Sequence, residues 1–298
     1  MKRHNFILIL LLIQGSITFG QDSTEVVPNI NLAIIAQENQ GNSYITTPTD
    51  IGNIEPLWFE ANMVPSFNVR TSKNSRLLGV ITPQVIIRMY REESSPVRTP
   101  SYMPQLTVYY NLRRKNRACS LSIFGKFAHH SNGQDGSFYL DNGDINLINA
   151  SFSTNYFESG IIKTSFSERF NAVKFFSSSI EVHPKGLTIE ELHGIYGMYK
   201  WNNIFSIFKL PINGNENEKK ASLSLKGKLS YTMGEFNNLN AIAFDRVTAS
   251  FTVFYHPKFL EEIGFFVQLY HGYDYYNIYF NQQRTMIRFG IMTDKLRF

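Results

Sequence analysis

Ala221-Ser222-Leu223-Ser224-Leu225-Lys226-Gly227-Lys228-Leu229-Ser230-Tyr231 alternates without a break. Its odd positions are apolar or small, and its even positions are serine or lysine. Period two marks a strand with one apolar and one polar face, and the stretch has the ~9–11 residues that a tilted strand needs to cross a bilayer. The pattern returns in 247–255, where Val247, Ala249, Phe251, Val253 and Tyr255 alternate with Thr248, Ser250 and Thr252. It returns again in 285–293, with Ile287, Phe289 and Ile291 on one side and Arg288 on the other.

Further extended runs lie near 63–71, 77–90, 104–112, 118–131, 145–156, 158–166, 172–183, 192–197, 200–210 and 260–272, which makes about twelve strands. Turn-forming segments separate them, among them Asp141-Asn142-Gly143-Asp144, Asn213-Gly214-Asn215 and Asn237-Asn238-Leu239-Asn240. No helical periodicity of useful length is present. The expectation is an all-β fold, a transmembrane antiparallel β-barrel of about twelve strands. A soluble β-sandwich would alternate too. It does not call for strands of bilayer length together with the features of the chain ends described next.

Lys2, Arg3 and His4 followed by the short apolar run Phe6–Ile13 read as a secretory signal, with a cut after Gly20 and Thr18 at −3. The residue directly after the cut is Gln21, not cysteine, which argues against a lipoprotein anchor. The chain ends on an aromatic, Phe298, as bacterial outer-membrane proteins do at their sorting signal. The expected organisation is a signal peptide over 1–20, an irregular segment rich in Asn, Thr and Pro over 21–58, and a barrel over 59–298. No later apolar run reaches the ~18 residues of a membrane helix. A single cysteine, Cys119, excludes an intramolecular disulfide framework and reads as a packed strand residue. The net charge of +5 is too small and too dispersed for a nucleic-acid partner. Aromatics make up 14% of the chain, with Tyr and Phe far ahead of Trp, as the interfacial girdles of a barrel require.

Against this pattern His129-His130-Ser131-Asn132-Gly133 stands out. Positions i and i+2 of a strand share a face, so His129 and Ser131 lie about 6–7 Å apart without help from distant folding. They fall on the apolar face with Leu121, Ile123 and Phe127, and therefore at a lipid-exposed rim, while His130 points into the lumen. A base beside a hydroxyl suits nucleophilic catalysis, and a third group must orient the imidazole. Reading 145–156 as the next strand puts Asn146 with the apolar set Ile148, Ala150, Phe152, on the same side as His129 and Ser131.

These residues resemble the outer-membrane phospholipase A family, whose members carry His-x-Ser-Asn-Gly on one strand and an Asn downstream. Glu92-Glu93-Ser94-Ser95-Pro96 with Tyr102 and Pro104-Gln105 resembles a second family segment. Gln268-Leu269-Tyr270-His271-Gly272-Tyr273 and Tyr279-Phe280-Asn281-Gln282-Gln283-Arg284 resemble the family's last hairpin. The resemblance spans roughly residues 60–298 in the family's order.

The resemblance implies a calcium-dependent outer-membrane phospholipase, of A1/A2 and lysophospholipase type, that hydrolyses acyl esters of membrane phospholipids and is active as a homodimer. It makes Ser131 the nucleophile, His129 the general base and Asn146 the residue that orients His129. The Gly133 backbone N–H would serve an oxyanion hole. Calcium would be held by the carbonyls of Ser94, from the facing subunit, and of Gln134. Ser137 is the preferred side-chain ligand, with Asp135, Asp141 and Asp144 as rivals. Several positions depart from the family. The loop between Ser131 and Asn146 is about three residues longer than the family norm, Ile145 replaces an aromatic, and His130 replaces an acidic residue. The glutamine of the family's dimer interface falls at Thr82, with Gln84 two positions on. The alternative is a non-catalytic outer-membrane barrel, a pore or structural protein on the same scaffold.

Overall fold

A computed structural model describes residues 27–70, 72, 75–211, 220–293 and 296–298. The expected signal peptide lies outside the described residues. Helix α1 (Leu32–Gln40) leads, followed by β1 (Tyr44–Thr46), β2 (Ile51–Gly52), β3 (Leu57–Met63), β4 (Phe67–Val69) and β5 (Leu77–Tyr90). Next come β6 (Ser101–Arg114), β7 (Ser120–Ser131), β8 (Ser153–Ser167), β9 (Ala172–Val182) and β10 (Tyr199–Lys209). The series ends with β11 (Leu223–Met233), β12 (Val247–Tyr255), β13 (Ile263–Tyr273) and β14 (Gln283–Thr293). From β5 to β14 each strand pairs antiparallel with the next. The sheet closes where β1 pairs with both β14 and β3. Because β1 and β2 both lie on β14, and β3 and β4 both lie on β5, the wall is a closed barrel of 12 strand positions.

The opening stretch behaves as its alternation requires. Ser224, Ser230 and Thr232 of β11 are buried toward the lumen, whereas Leu223 and Leu229 are exposed on the outside. Outward-facing Trp201, Phe205, Phe251 and Phe265 continue this apolar belt around the wall. In water such a surface would be a liability, and in lipid it is what a membrane barrel must present.

The segment read from sequence as irregular, 21–58, holds from residue 27 onward α1, β1, β2 and the first two residues of β3. Asn31 caps α1, its Oδ1 accepting from Ala33 N at 2.9 Å and Ile34 N at 3.2 Å. The helix lies in the lumen at the end opposite the long loops. Leu32, Ile35 and Ala36 pack there on inward-facing Leu78, Val80, Phe124, Ile162 and Phe175. Its second half is polar and meets the polar lumen. Glu38 Oε1 accepts from Ser206 Oγ at 2.6 Å and lies 2.9 Å from Lys226 Nζ, and Asn39 Nδ2 donates to Tyr109 Oη at 2.9 Å. Polarity in α1 therefore changes along the axis, not around it. That is why no 3.6-residue period betrays the helix in the sequence.

Toward the other end an ion network crosses one side of the lumen and borders a cavity of about 390 Å³. Arg88 bonds Glu60 at 2.7 Å and both carboxylate oxygens of Asp274 at 2.8 Å. Arg288 bonds Glu60 at 2.8 Å and Asp50 at 3.0 Å. Arg88, Glu60, Asp274 and Arg288 are buried, and charges so placed persist only when paired and hydrogen-bonded. Helix below and ion network above oppose the reading of the barrel as an open pore.

Thr82 and Gln84 of β5 both face this lumen. Thr82 is fully buried, and Gln84 exchanges hydrogen bonds with Asn62 at 2.9 Å and Gln105 at 3.0 Å. Neither position offers an amide to a lipid-side dimer contact.

Candidate active site

The long connections 91–100, 132–152, 183–198, 234–246 and 274–282 gather at one rim, and the His-Ser strand ends there. On β7 the exposed Ile123 and Phe127 mark the outward face, and the buried Ser122, Phe124, Ala128 and His130 mark the lumenal one. His129 and Ser131 follow the outward face, as their spacing requires, and both are half-buried. His130 stacks edge-on to Phe152 inside the lumen, ring centroids 4.8 Å apart.

The third member differs from expectation. Residues 145–152 are a folded loop, and β8 begins only at Ser153. Asn146 sits in that loop, where its Nδ2 donates to Ser137 O at 3.1 Å and Asn149 Oδ1 at 2.6 Å. Its Oδ1 accepts from Ile148 N at 3.1 Å. Those bonds tie the loop to itself, and the structure does not bring Asn146 to His129. Opposite His129 in the β7–β8 register stands Asn155. Its Oδ1 is 3.0 Å from His129 Nδ1. Its Nδ2 donates to Leu187 O at 3.0 Å, which fixes the orientation of the amide.

A strand over 145–156 would turn its apolar even positions to lipid, yet Phe152 and Thr154 are buried toward the lumen, where Phe152 packs with Tyr196 and Phe280. A lumen plugged by aromatics reverses the rule that apolar means outside. One signal in the sequence could have found Asn155. The Asp141–Asp144 turn has Asn142 midway between His129 and Asn155, and a symmetric hairpin about it pairs the two.

With Oδ1 accepting, His129 carries its proton on Nδ1, and Nε2 keeps a lone pair for a hydroxyl on the same face. Beyond Ser131 the chain turns through Asn132, which is fully buried. Asn132 Nδ2 donates to Ala150 O at 2.7 Å, and its Oδ1 accepts from Phe152 N at 3.0 Å and Gln134 N at 3.3 Å. Gly133 follows at φ 65°, and a Cβ there would meet Tyr102 Cε2 at 3.3 Å. Tyr102 of β6 pairs with Ser131. Asn132 thus pins the turn that holds the Gly133 N–H next to Ser131.

Among the described residues, no group of three or more His, Cys, Asp or Glu side chains converges as a metal site. A cation at this rim would rest instead on carbonyls and hydroxyls, the hard oxygen donors that calcium takes. The donor set fits that chemistry. The Gln134 carbonyl and the exposed Ser137 hydroxyl follow Ser131 directly, and exposed Ser94 stands at φ 64° in the neighbouring 91–100 loop. Ser137 O accepts from Asn146 Nδ2, while its exposed hydroxyl offers a second oxygen donor. Asp144 is held within its own turn by Asn142 Nδ2 at 2.7 Å, which weakens it as a ligand.

A closed twelve-strand antiparallel barrel with an apolar outer belt and a polar His-Ser-Asn cluster on the outward face of one rim is the architecture of this chain. No protein-family model matches the chain, and no curated protein matches it by sequence. Solved structures do. Outer membrane phospholipase A from Escherichia coli superimposes with a TM-score of 0.58 at 14% identity, over 89% of this chain and 99% of that one. An active-site mutant of that protein, with an asparagine changed to alanine, gives 0.56 at 14% identity, over 93% of this chain and 95% of that one. The Salmonella typhi outer membrane phospholipase, a dimer with bound calcium, gives 0.58 at 15% identity, over 91% of this chain and 99% of that one. At such identity the likeness establishes the fold.

Proposed function

We propose that this chain is an outer-membrane phospholipase that hydrolyses the acyl ester bonds of membrane phospholipids. One observation carries the reading. The Leu187–Asn155–His129 hydrogen-bond chain leaves a basic Nε2 on the same lipid-facing strand face as the Ser131 hydroxyl. A substrate dissolved in water rarely needs a nucleophile on that face; a lipid substrate does.

In this mechanism His129 Nε2 takes the Ser131 proton as Oγ attacks the ester carbonyl. The oxyanion that forms is met by the Gly133 N–H. His129 then returns the proton to the departing lysophospholipid oxygen, leaving an acyl-serine. Water, deprotonated by the same imidazole, releases the fatty acid and restores Ser131. Asn155 holds the Nδ1 proton throughout. Being neutral, it contributes orientation and a hydrogen bond, not a counter-charge. The carbonyl of Gln134 and the hydroxyl of Ser137, with the Ser94 carbonyl of a facing copy, would hold a calcium ion. When bound, such an ion would supply positive potential to the site. Pairing of two copies would make activity depend on concentration, restraining an enzyme that lives in its own substrate.

The test is fatty-acid release from phospholipid in detergent with calcium, with chelator, and for Ser131→Ala. The proposal expects activity in the first case alone. Equal background release in all three from a folded barrel would leave the non-catalytic reading standing.

A further inference from the structure

We infer that the loop 183–198 is a positioning device for the Asn155 amide, with Thr188 and His183 as positioning residues that act through it. The inference deepens the proposed reaction and depends on it only for a kinetic readout.

An asparagine amide has two ends of nearly equal shape and opposite hydrogen-bonding character. With Oδ1 toward His129, Nδ1 keeps its proton and Nε2 can act as a base. With Nδ2 toward His129, Nδ1 must accept, the proton moves to Nε2, and no base faces Ser131. Nothing in the His129–Asn155 pair itself chooses between these states. The Leu187 carbonyl makes the choice, because it can only accept and therefore claims Nδ2 at 3.0 Å.

Leu187 must then be held still, and its neighbours do this. Thr188 Oγ1 lies 2.8 Å from the Oγ1 of Thr154, the residue before Asn155 on β8. Thr154 Oγ1 lies 2.9 Å from His183 Nδ1, and His183 Nε2 lies 2.8 Å from Glu181 Oε1. Glu181 in turn pairs with Lys200 at 3.0 Å. With the buried His183 imidazole neutral, the direction of each bond follows. The Glu181 carboxylate accepts, so His183 donates from Nε2 and accepts at Nδ1. Thr154 then donates to His183, and Thr188 donates to Thr154. Thr188, Thr154 and His183 are buried, and Glu181 and Lys200 at the end of the series are partly buried. Ile189 N adds a bond to Ser153 O at 3.2 Å, so the loop follows β8 on both sides of Asn155.

The experiment uses the full-length barrel in detergent with Thr188→Val, Thr188→Ala and Thr188→Ser. The His129 tautomer is read by nitrogen-15 shifts of histidine-labelled protein, with the signal assigned by its loss in His129→Gln. The valine and alanine variants are expected to populate the Nε2–H tautomer and to lower kcat about tenfold at unchanged KM, while serine restores both. In an Asn155→Asp background, where both side-chain oxygens accept, Thr188→Val should add little. A Thr188→Val protein whose His129 stays wholly in the Nδ1–H form overturns the inference, whether or not the barrel hydrolyses phospholipid. Absence of hydrolysis from a wild type with the expected tautomer counts instead against the proposed function.

Discussion

His129 Nδ1 and Asn155 Oδ1 stand 3.0 Å apart across the β7–β8 ladder, in direct register on the outward face. Asn146, which the resemblance puts in that role, spends its amide on its own loop. The two residues can therefore be told apart by mutation. Asn155→Ala should lower kcat about tenfold, the worth of one hydrogen bond that sets the tautomer. Asn146→Ala should keep near wild-type kcat while loosening the 132–152 loop, seen as faster proteolysis there.

Gly133 must be glycine for two reasons, its φ of 65° and the Tyr102 ring 3.3 Å from any added Cβ. An alanine would cost about 1–2 kcal/mol in the left-handed region or rotate the peptide N–H away from the oxyanion. Gly133→Ala is expected to lose activity in kcat with little change in KM, while unfolding near the wild-type temperature.

Phe251 projects from β12 into the apolar belt, beside inward-facing Thr252. Phe251→Arg should destabilise insertion into vesicles by about 2–4 kcal/mol if it lies near the bilayer midplane. Leu229→Ser on β11 should cost far less. Refolding into lipid vesicles followed by tryptophan fluorescence measures both.

His183 is surrounded by Glu181 at 2.8 Å, the Lys200 ammonium beyond it, the rings of Tyr156 and Tyr196, and Thr154. Burial, aided by Lys200 and opposed by Glu181, pushes its pKa below the ordinary histidine value. The native state then binds fewer protons than the unfolded chain as pH falls through about 6.5. Stability should be flat above that pH on this account and decline below it. His183→Gln should flatten part of the decline in a denaturant series run between pH 5 and 8.

Much of this was legible in the sequence. The 221–231 alternation predicts which side chains of β11 face lipid, and the His129–Ser131 spacing predicts their shared outward face. Period two fails where its physical assumption fails. At the loop-bearing rim Phe152, Tyr196 and Phe280 pack together inside the lumen, so apolar residues face inward and 145–156 reads on the wrong side. The polarity of helix α1 changes along its axis and leaves no amphipathic stripe to detect. The Leu187 carbonyl that orients Asn155 is main chain, and no side-chain pattern announces it.

Treatment of the folded barrel with a serine-directed sulfonyl fluoride, followed by mass spectrometry of its peptides, tests the central assignment most directly. The account predicts a single sulfonyl adduct on Ser131, formed with calcium present and lost in His129→Ala. An unlabelled Ser131, or a label that forms equally well without His129, would contradict it.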